Sequence, residues 1–264
     1  EWKDRIEDID PPREDPKHIT TILSQLEDHG LHWDGQIVFQ SERLDEYQCV
    51  LDELDLKQLT YSCNCNRKRV RNIGGIYDGR CRSLDLPSEG NATRIKLPQH
   101  RDNDEVKIVD ILIGEYYQKL SREVGDFLLK RRDGLYSYQL ASVIDDQFQG
   151  ITRIVRGSDL INSTPRQVYL QKCLGYPNID YAHIPLATDD QGKKLSKQNR
   201  ALPILGSHAS NNLWSALDWL NQNPPRTLIG APINEILDWA KIHWQLRSVL
   251  GKANFFRPCL ADST

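Results

Sequence analysis

Between Trp2 and Leu54 short apolar runs alternate with helical stripes, and that alternation restricts the fold more than any other feature. Trp2 to Asp10 reads as the end of a strand running into an acidic turn, stopped by Pro11-Pro12. Asp15-Pro16 then supplies an N-cap with proline in the first helical turn, where the absent N–H leaves nothing unsatisfied. Ile19, Ile22, Leu23 and Leu26 recur at helical spacing, and Gly30 follows as the C-cap. A second strand is predicted at Gln36 to Gln40, and Ser41 opens a second helix with Leu44, Tyr47, Leu51 and Leu54 on one face. Strand, helix, strand, helix is the order of an α/β protein whose helices cover a doubly wound sheet. His32 and Trp33, between the two units, read as core or rim rather than as chemistry.

The character changes from Leu59. Cys63 and Cys65 lie one residue apart, and Tyr77 and Cys81 close a loop that carries Arg67-Lys68-Arg69-Val70-Arg71 and the turn Gly74-Gly75. Three thiolates gathered by a short loop are suitable Zn²⁺ ligands, the alternative being three buried free cysteines. The fourth ligand stays open on this reading: no histidine is near, and Tyr77, with a reference pKa of about 10, would have to lose its proton to the metal. Further on, Ala92 to Leu97 and Lys107 to Gly114 pattern as strands, whereas Glu115 to Leu120 carries little pattern. Phe127 to Lys130, a turn at Asp133-Gly134 and Tyr136 to Ile144 return to the α/β pattern, which Asp145-Asp146 is expected to end. Ile151 to Val155 is a strand delivering Arg156-Gly157-Ser158-Asp159 at its carboxyl end, the place where such sheets put ligand groups. Arg156 is there suited to holding a carboxylate bidentately. Ser163, Thr164 and Pro165 cap a helix that stops at Gly175.

Tyr181 to Leu186 leads through Asp189-Asp190-Gln191-Gly192 into Lys193-Lys194-Leu195-Ser196-Lys197-Gln198. Lysines on a glycine-containing loop make a mobile cationic arm, able to close over a triphosphate and stabilise charge on departing pyrophosphate. A solvated surface loop is the plainer alternative. The remainder reads as helices, one stripe at Leu213, Leu217 and Leu220 and another at Trp239, Ile242, Leu246 and Val249, ended by Gly251. Net charge is −3, so no global basic field advertises a nucleic acid; the basic run at Arg67 and the cluster Lys130-Arg131-Arg132 could each touch phosphates or merely face water. No apolar run approaches the roughly 18 residues that span a bilayer. Six cysteines, Cys49, Cys173 and Cys259 among them, do not form a secreted disulfide framework, so reduced thiols and a cytoplasmic setting are expected.

Six segments in this order resemble class I glutamyl-tRNA synthetases: Arg5 to Arg13 (RIEDIDPPR), Gly30 to Gly35 (GLHWDG), Gly74 to Gly79 (GGIYDG), Arg131 to Gly134 (RRDG), Ile154 to Gly157 (IVRG) and Lys194 to Asn199 (KLSKQN). The resemblance is closer to the short paralogues of that family, the glutamyl-Q tRNA(Asp) synthetases. The tail after Gln198 is too short for the anticodon-binding region of a full synthetase, and Cys63, Cys65, Tyr77 and Cys81 look like the paralogues' zinc site.

That resemblance implies a Rossmann-type catalytic core in two halves, residues 1–57 and 126–187, an inserted zinc-containing acceptor-type subdomain at 58–125, and the lysine loop with a helical region at 188–264. L-glutamate would be activated by ATP with Mg²⁺, then passed to the cyclopentenediol ring of queuosine in the anticodon of tRNA(Asp). Glu7 would meet the amino group of glutamate, with Tyr138 and Arg156 completing the pocket. Lys194, Ser196 and Lys197 would engage ATP, the two lysines catalytically. Cys63, Cys65, Tyr77 and Cys81 would hold one structural Zn²⁺ per chain, and the chain would act as a monomer. The family's His-x-Gly-type ATP segment has no counterpart here and the chain contains no Met, so further residues are expected ahead of Glu1. The alternatives are an ordinary glutamyl-tRNA synthetase core and a non-catalytic zinc-containing RNA-binding paralogue.

Overall fold

The computed structural model describes residues 1–11, 15–98, 105–188, 194–195 and 203–251. Strand β1 (Arg5–Ile6) pairs in parallel with β2 (Val38–Phe39), and helix α1 (Pro16–Asp28) is the crossover between them. The Asp15 side chain accepts from the Lys17 N–H, so the cap is the one its sequence announces. Gly30, at φ +68°, leads the chain out of the helix, where a Cβ would meet Ile233 at 2.9 Å. A 3-10 turn over Gln40–Arg43 feeds α2 (Leu44–Leu56), which buries Tyr47, Leu51 and Leu54 while Leu44 faces outward.

Three antiparallel strands follow in the order β3 (Thr60–Cys63), β4 (Ala92–Ile95), β7 (Leu128–Lys130). Between β3 and β4 lies the short α3 (Arg67–Asn72). A hairpin of β5 (Glu105–Asp110) and β6 (Gly114–Lys119) precedes the short α4 (Leu120–Glu123). The hairpin joins β8 (Arg153–Gly157) and β9 (Asp180–Ile184) in a four-stranded sheet ordered β6-β5-β9-β8, parallel except for β6 at the edge. Helices α5 (Tyr138–Phe148) and α6 (Thr164–Leu174) flank it, α6 forming the crossover from β8 to β9. Two further helices, α7 (Ala209–Trp219) and α8 (Ile233–His243), lie beyond the lysine loop.

This is the expected α/β architecture, strands alternating with helices that pack against them. Its main core gathers Tyr47 and Leu54 of α2, Ile95 of β4, Leu129 of β7, Leu140 of α5 and Leu170 of α6. Truncating such a leucine to alanine costs about 2–5 kcal/mol, so this cluster is a main source of the fold's stability. Among the described residues no helix is long and apolar enough to cross a membrane. The five described cysteines are free thiols, whereas Cys259 lies outside the described residues.

Three expectations need correcting. Residues 115–119, which carry little pattern, form β6; its inward face holds Tyr116 and Gln118, so the buried side is half polar and the alternation is blurred. Asp145 and Asp146 do not end α5, which runs on to Phe148. Both are buried in it: Asp145 accepts from Gln40, Arg43 and Tyr47, and Asp146 from Arg5, which removes the usual objection to acids inside. Finally, the stripe from Trp239 to Val249 is not one helix. The chain turns extended at Trp244, where the Gln222 side chain accepts from the Gln245 N–H and donates to its carbonyl. Val249 can then pack on Leu112 and Ala182, while Ile242 stays exposed.

Candidate active site and metal loop

At the end of β3 the chain delivers Cys63, and Asn66 caps α3 by accepting from the Arg69 N–H. The three sulfurs of Cys63, Cys65 and Cys81 lie within 4.8 Å of one another. Tyr77 Oη stands 3.3 Å from Cys63 Sγ and 3.7 Å from Cys65 Sγ, and Cys65 and Cys81 are 3.5 Å apart. A tetrahedron with zinc–sulfur bonds of about 2.3 Å and a zinc–oxygen bond of about 2.0 Å has edges of roughly 3.5–3.8 Å. The three separations above come within a few tenths of an ångström of those edges, so the cluster is a candidate site for a single metal ion. Burial pushes the Tyr77 phenol far above its ordinary range, and hydrogen bonds to Cys63 and Cys81 add to this, so ligation has to displace a tightly held proton.

Two residues that sequence reasoning passed over hold this loop. Arg94, buried on β4, donates from Nε to Cys63 Sγ at 3.2 Å and lies over the Tyr77 ring at 3.9 Å. Gly125, at φ +70°, bridges to Tyr77, and a Cβ there would sit 2.4 Å from the Tyr77 carbonyl oxygen. The signal for Arg94 is a basic residue on an inward strand position, and it is visible only once the strand's faces are known.

Around Arg156, near the end of β8, a second cluster forms from α5, α6 and β9. Arg156 donates through Nη2 to Thr164 Oγ1 at 2.6 Å and Gln167 Oε1 at 2.8 Å. Nη1 donates to Tyr138 Oη at 3.3 Å, and Nε faces His183 Nε2 at 3.2 Å. An arginine has five N–H donors, and these contacts occupy four of them. The expectation of a bidentate clamp is therefore corrected: one Nη1–H is left. The Tyr138 hydroxyl accepts from Arg156 and keeps its own proton to donate. A carboxylate approaching here meets two donors, one from each residue.

Glu7 follows β1 directly. Arg5 reaches both Glu7, at 3.5 Å, and Asp146, at 2.8 Å, and Asp146 lies within the electrostatic reach of Arg156. Partial burial pushes the Glu7 carboxyl upward, with Asp146 and Asp145 adding to it against the pull of Arg5. A cation placed next to Glu7 would relieve that penalty. Lys194 is half exposed and paired with Asp159 at 2.5 Å, so its ammonium is stationed beside the 3-10 segment Ser158–Ser163 that follows β8. Ser196 and Lys197 lie outside the described residues.

A family model described as tRNA synthetases class I (E and Q), catalytic domain, matches residues 4–212. Among curated relatives, the Glutamyl-Q tRNA(Asp) synthetase of Pseudomonas fluorescens is 48% identical over 243 residues, covering 92% of this chain and 80% of that protein. The protein of the same name from Pseudomonas aeruginosa is 46% identical over 243 residues, covering 92% and 82%. A solved glutamate tRNA ligase from Elizabethkingia meningosepticum superposes with a TM-score of 0.72 at 23% identity, over 93% of this chain but 58% of its own, a likeness of fold. With the sequence likeness running over 92% of its length, the chain belongs to the glutamyl-Q tRNA(Asp) synthetase family, within the class I tRNA synthetases for glutamate and glutamine.

Proposed function

We propose that the chain activates L-glutamate with ATP and transfers the glutamyl group to queuosine in the anticodon of tRNA(Asp). The observation that carries the reading for this site is the pair of donors that Arg156 and Tyr138 keep free, with Glu7 linked to the cluster through Arg5 and Asp146. Glutamate offers a carboxylate to the donors and an ammonium to Glu7. The α-carboxylate must stay free to react, so the side-chain carboxylate goes to Arg156.

In the first step an α-carboxylate oxygen bonds to the α-phosphorus of ATP. The bond from that phosphorus to the bridging oxygen breaks, and pyrophosphate leaves with the electron pair. In the second, a ring hydroxyl of queuosine bonds to the activated carbonyl carbon, its proton is released, and AMP departs. Such chemistry depends on positioning and charge stabilisation more than on an acid–base pair. Mg²⁺ bound with ATP neutralises phosphate charge. Lys194 would leave Asp159 for the phosphates as they arrive, with Ser196 and Lys197 beside it. Cys63, Cys65, Cys81 and Tyr77 would hold one structural zinc, keeping the insert at residues 58–125 in shape for RNA, with the chain acting as a monomer.

Glutamate-dependent exchange of pyrophosphate into ATP, without tRNA, tests the first step, and labelled glutamate appearing on queuosine-containing tRNA(Asp) tests the second. Label on the terminal adenosine of tRNA(Glu) would instead identify an ordinary glutamyl-tRNA synthetase core. Metal analysis should find about one zinc per chain, lowered in Cys65→Ser; well-folded, metal-free protein would remove the zinc assignment.

A further inference from the structure

Behind Arg156 stands a fully buried pair, Asp110 and His183, that meets its guanidinium at Nε. Asp110, the last residue of β5, is 2% exposed, and His183 on β9 is 0% exposed. Asp110 Oδ1 accepts from the Leu112 and Ile113 N–H groups, both at 2.9 Å. Its Oδ2 lies 2.6 Å from His183 Nδ1 and also accepts from the His183 backbone N–H at 3.1 Å. On the far side of the ring, His183 Nε2 is 3.2 Å from Arg156 Nε and 3.0 Å from Thr164 Oγ1.

The donor inventory leaves one arrangement. Arginine can only donate, so Nε2 must present its lone pair to Arg156. Thr164 Oγ1 already accepts from Arg156 Nη2, which turns its own proton toward the same nitrogen. The ring therefore carries its proton on Nδ1 and gives it to Asp110. An Nε2–H would put two N–H donors face to face, and a ring protonated on both nitrogens would lie against a positive guanidinium.

We propose that His183, held in the Nδ1–H tautomer by Asp110, is a positioning residue that sets the plane of the Arg156 guanidinium and thereby aims its one remaining N–H at the carboxylate of the substrate. The inference rests on the reading that Arg156 receives glutamate. With Nε fixed by His183 and Nη2 fixed by Thr164 and Gln167, rotation about the last side-chain torsion is blocked, and Nη1 points toward Tyr138. Without the acceptor at Nε2, that clamp loses one side, and the guanidinium can turn to spend its free donor on the protein.

The tautomer can be read directly. In a nitrogen-15 spectrum of histidine side chains, with His183 assigned by its loss in His183→Gln, the full-length protein should show a protonated Nδ1 and a bare Nε2. A protonated Nε2, or a ring protonated on both nitrogens, overturns the proposal even if no variant folds. Binding supplies the second arm. His183→Asn keeps a donor toward Asp110 but removes the acceptor, and should weaken L-glutamate binding about 10- to 100-fold, the scale of one hydrogen bond to a charged group. His183→Gln, whose longer side chain returns an oxygen toward Arg156, should recover most of that loss, with ATP affinity level in both. Equal glutamate affinity in a folded His183→Asn, or a parallel loss for ATP, would refute the positioning role. Asp110→Asn is sharper still: its single oxygen is claimed by Leu112 and Ile113, so its amide faces His183, and the ring should switch to Nε2–H with a similar loss of glutamate. If Arg156→Gln binds glutamate normally, the pocket reading fails by itself, and the spectrum still decides the tautomer.

Discussion

At Arg156 four of five donors are spent on the protein, which makes the residue hard to replace even by another cation. Arg156→Lys offers three donors from one point and cannot serve His183, Thr164, Gln167 and Tyr138 together. Glutamate binding by calorimetry should weaken roughly 30- to 150-fold, and Tyr138→Phe, which removes one neutral donor, by about 10-fold. Asp110 has a pH consequence of its own. Burial works against its charge, but the hydrogen bonds from His183, Ile113 and Leu112 outweigh that and hold its carboxyl below the ordinary range. A depressed acid stabilises the fold above its unfolded value of about 3.9, and that contribution is lost as pH falls through the lower folded value. Denaturation followed between pH 5 and the acid limit should therefore show a shallower decline for Asp110→Asn than for the native chain. Arg156 itself is legible in the sequence because it closes a strand in an α/β pattern. Its partners are not, since Tyr138, Thr164, Gln167 and His183 come from α5, α6 and β9 and meet only after the sheet is assembled.

The cysteine loop works at the level of elements: β3 and β4 supply Cys63 and Arg94, and the segment before β7 supplies Gly125. The spacing of Cys63, Cys65 and Cys81 marks a candidate metal cluster in the sequence, and the fold brings the three sulfurs together. Gly125 gives no such notice, being one glycine among 16. Its importance follows from the backbone of Tyr77, which passes where a Cβ would stand. Gly125→Ala should cost about 1–3 kcal/mol in chemical denaturation, the scale of overpacking, and should lower zinc per chain by moving Tyr77 away from the sulfurs. Alanine with unchanged metal content would show that Tyr77 is not held by this crossing. The helical ends behave more simply. Asp15 before Pro16 and Gly175 after Leu174 are local signals, and each lands where its chemistry demands.

On the scale of the whole molecule, the apolar cluster of Cys63, Tyr77 and Cys81 is separate from the main core of α2, α5 and α6. Two packing units joined by the Asp126 ion pair with Arg82 and the Tyr61 hydroxyl need not unfold together. Hydrogen exchange after chelation should lose protection across residues 63–86 while α5 and α6 keep theirs; uniform loss would mean that metal and core are one cooperative unit. Which strands share a sheet was the least legible feature, because β5 lies inside the stretch the sequence presents as an insert and finds its partner β9 some seventy residues later. That arrangement leaves β6 as an outer edge, and its outward residues are Glu115, Tyr117 and Lys119. Lys107 pairs with Glu115, and Glu105 faces Lys119 across the hairpin at 3.7 Å. An open edge strand that carries charged side chains is a poor template for a second copy, since a partner strand would have to desolvate them. The hairpin that carries Asp110 at its inner end thus guards the molecule against edge-to-edge aggregation at its outer one.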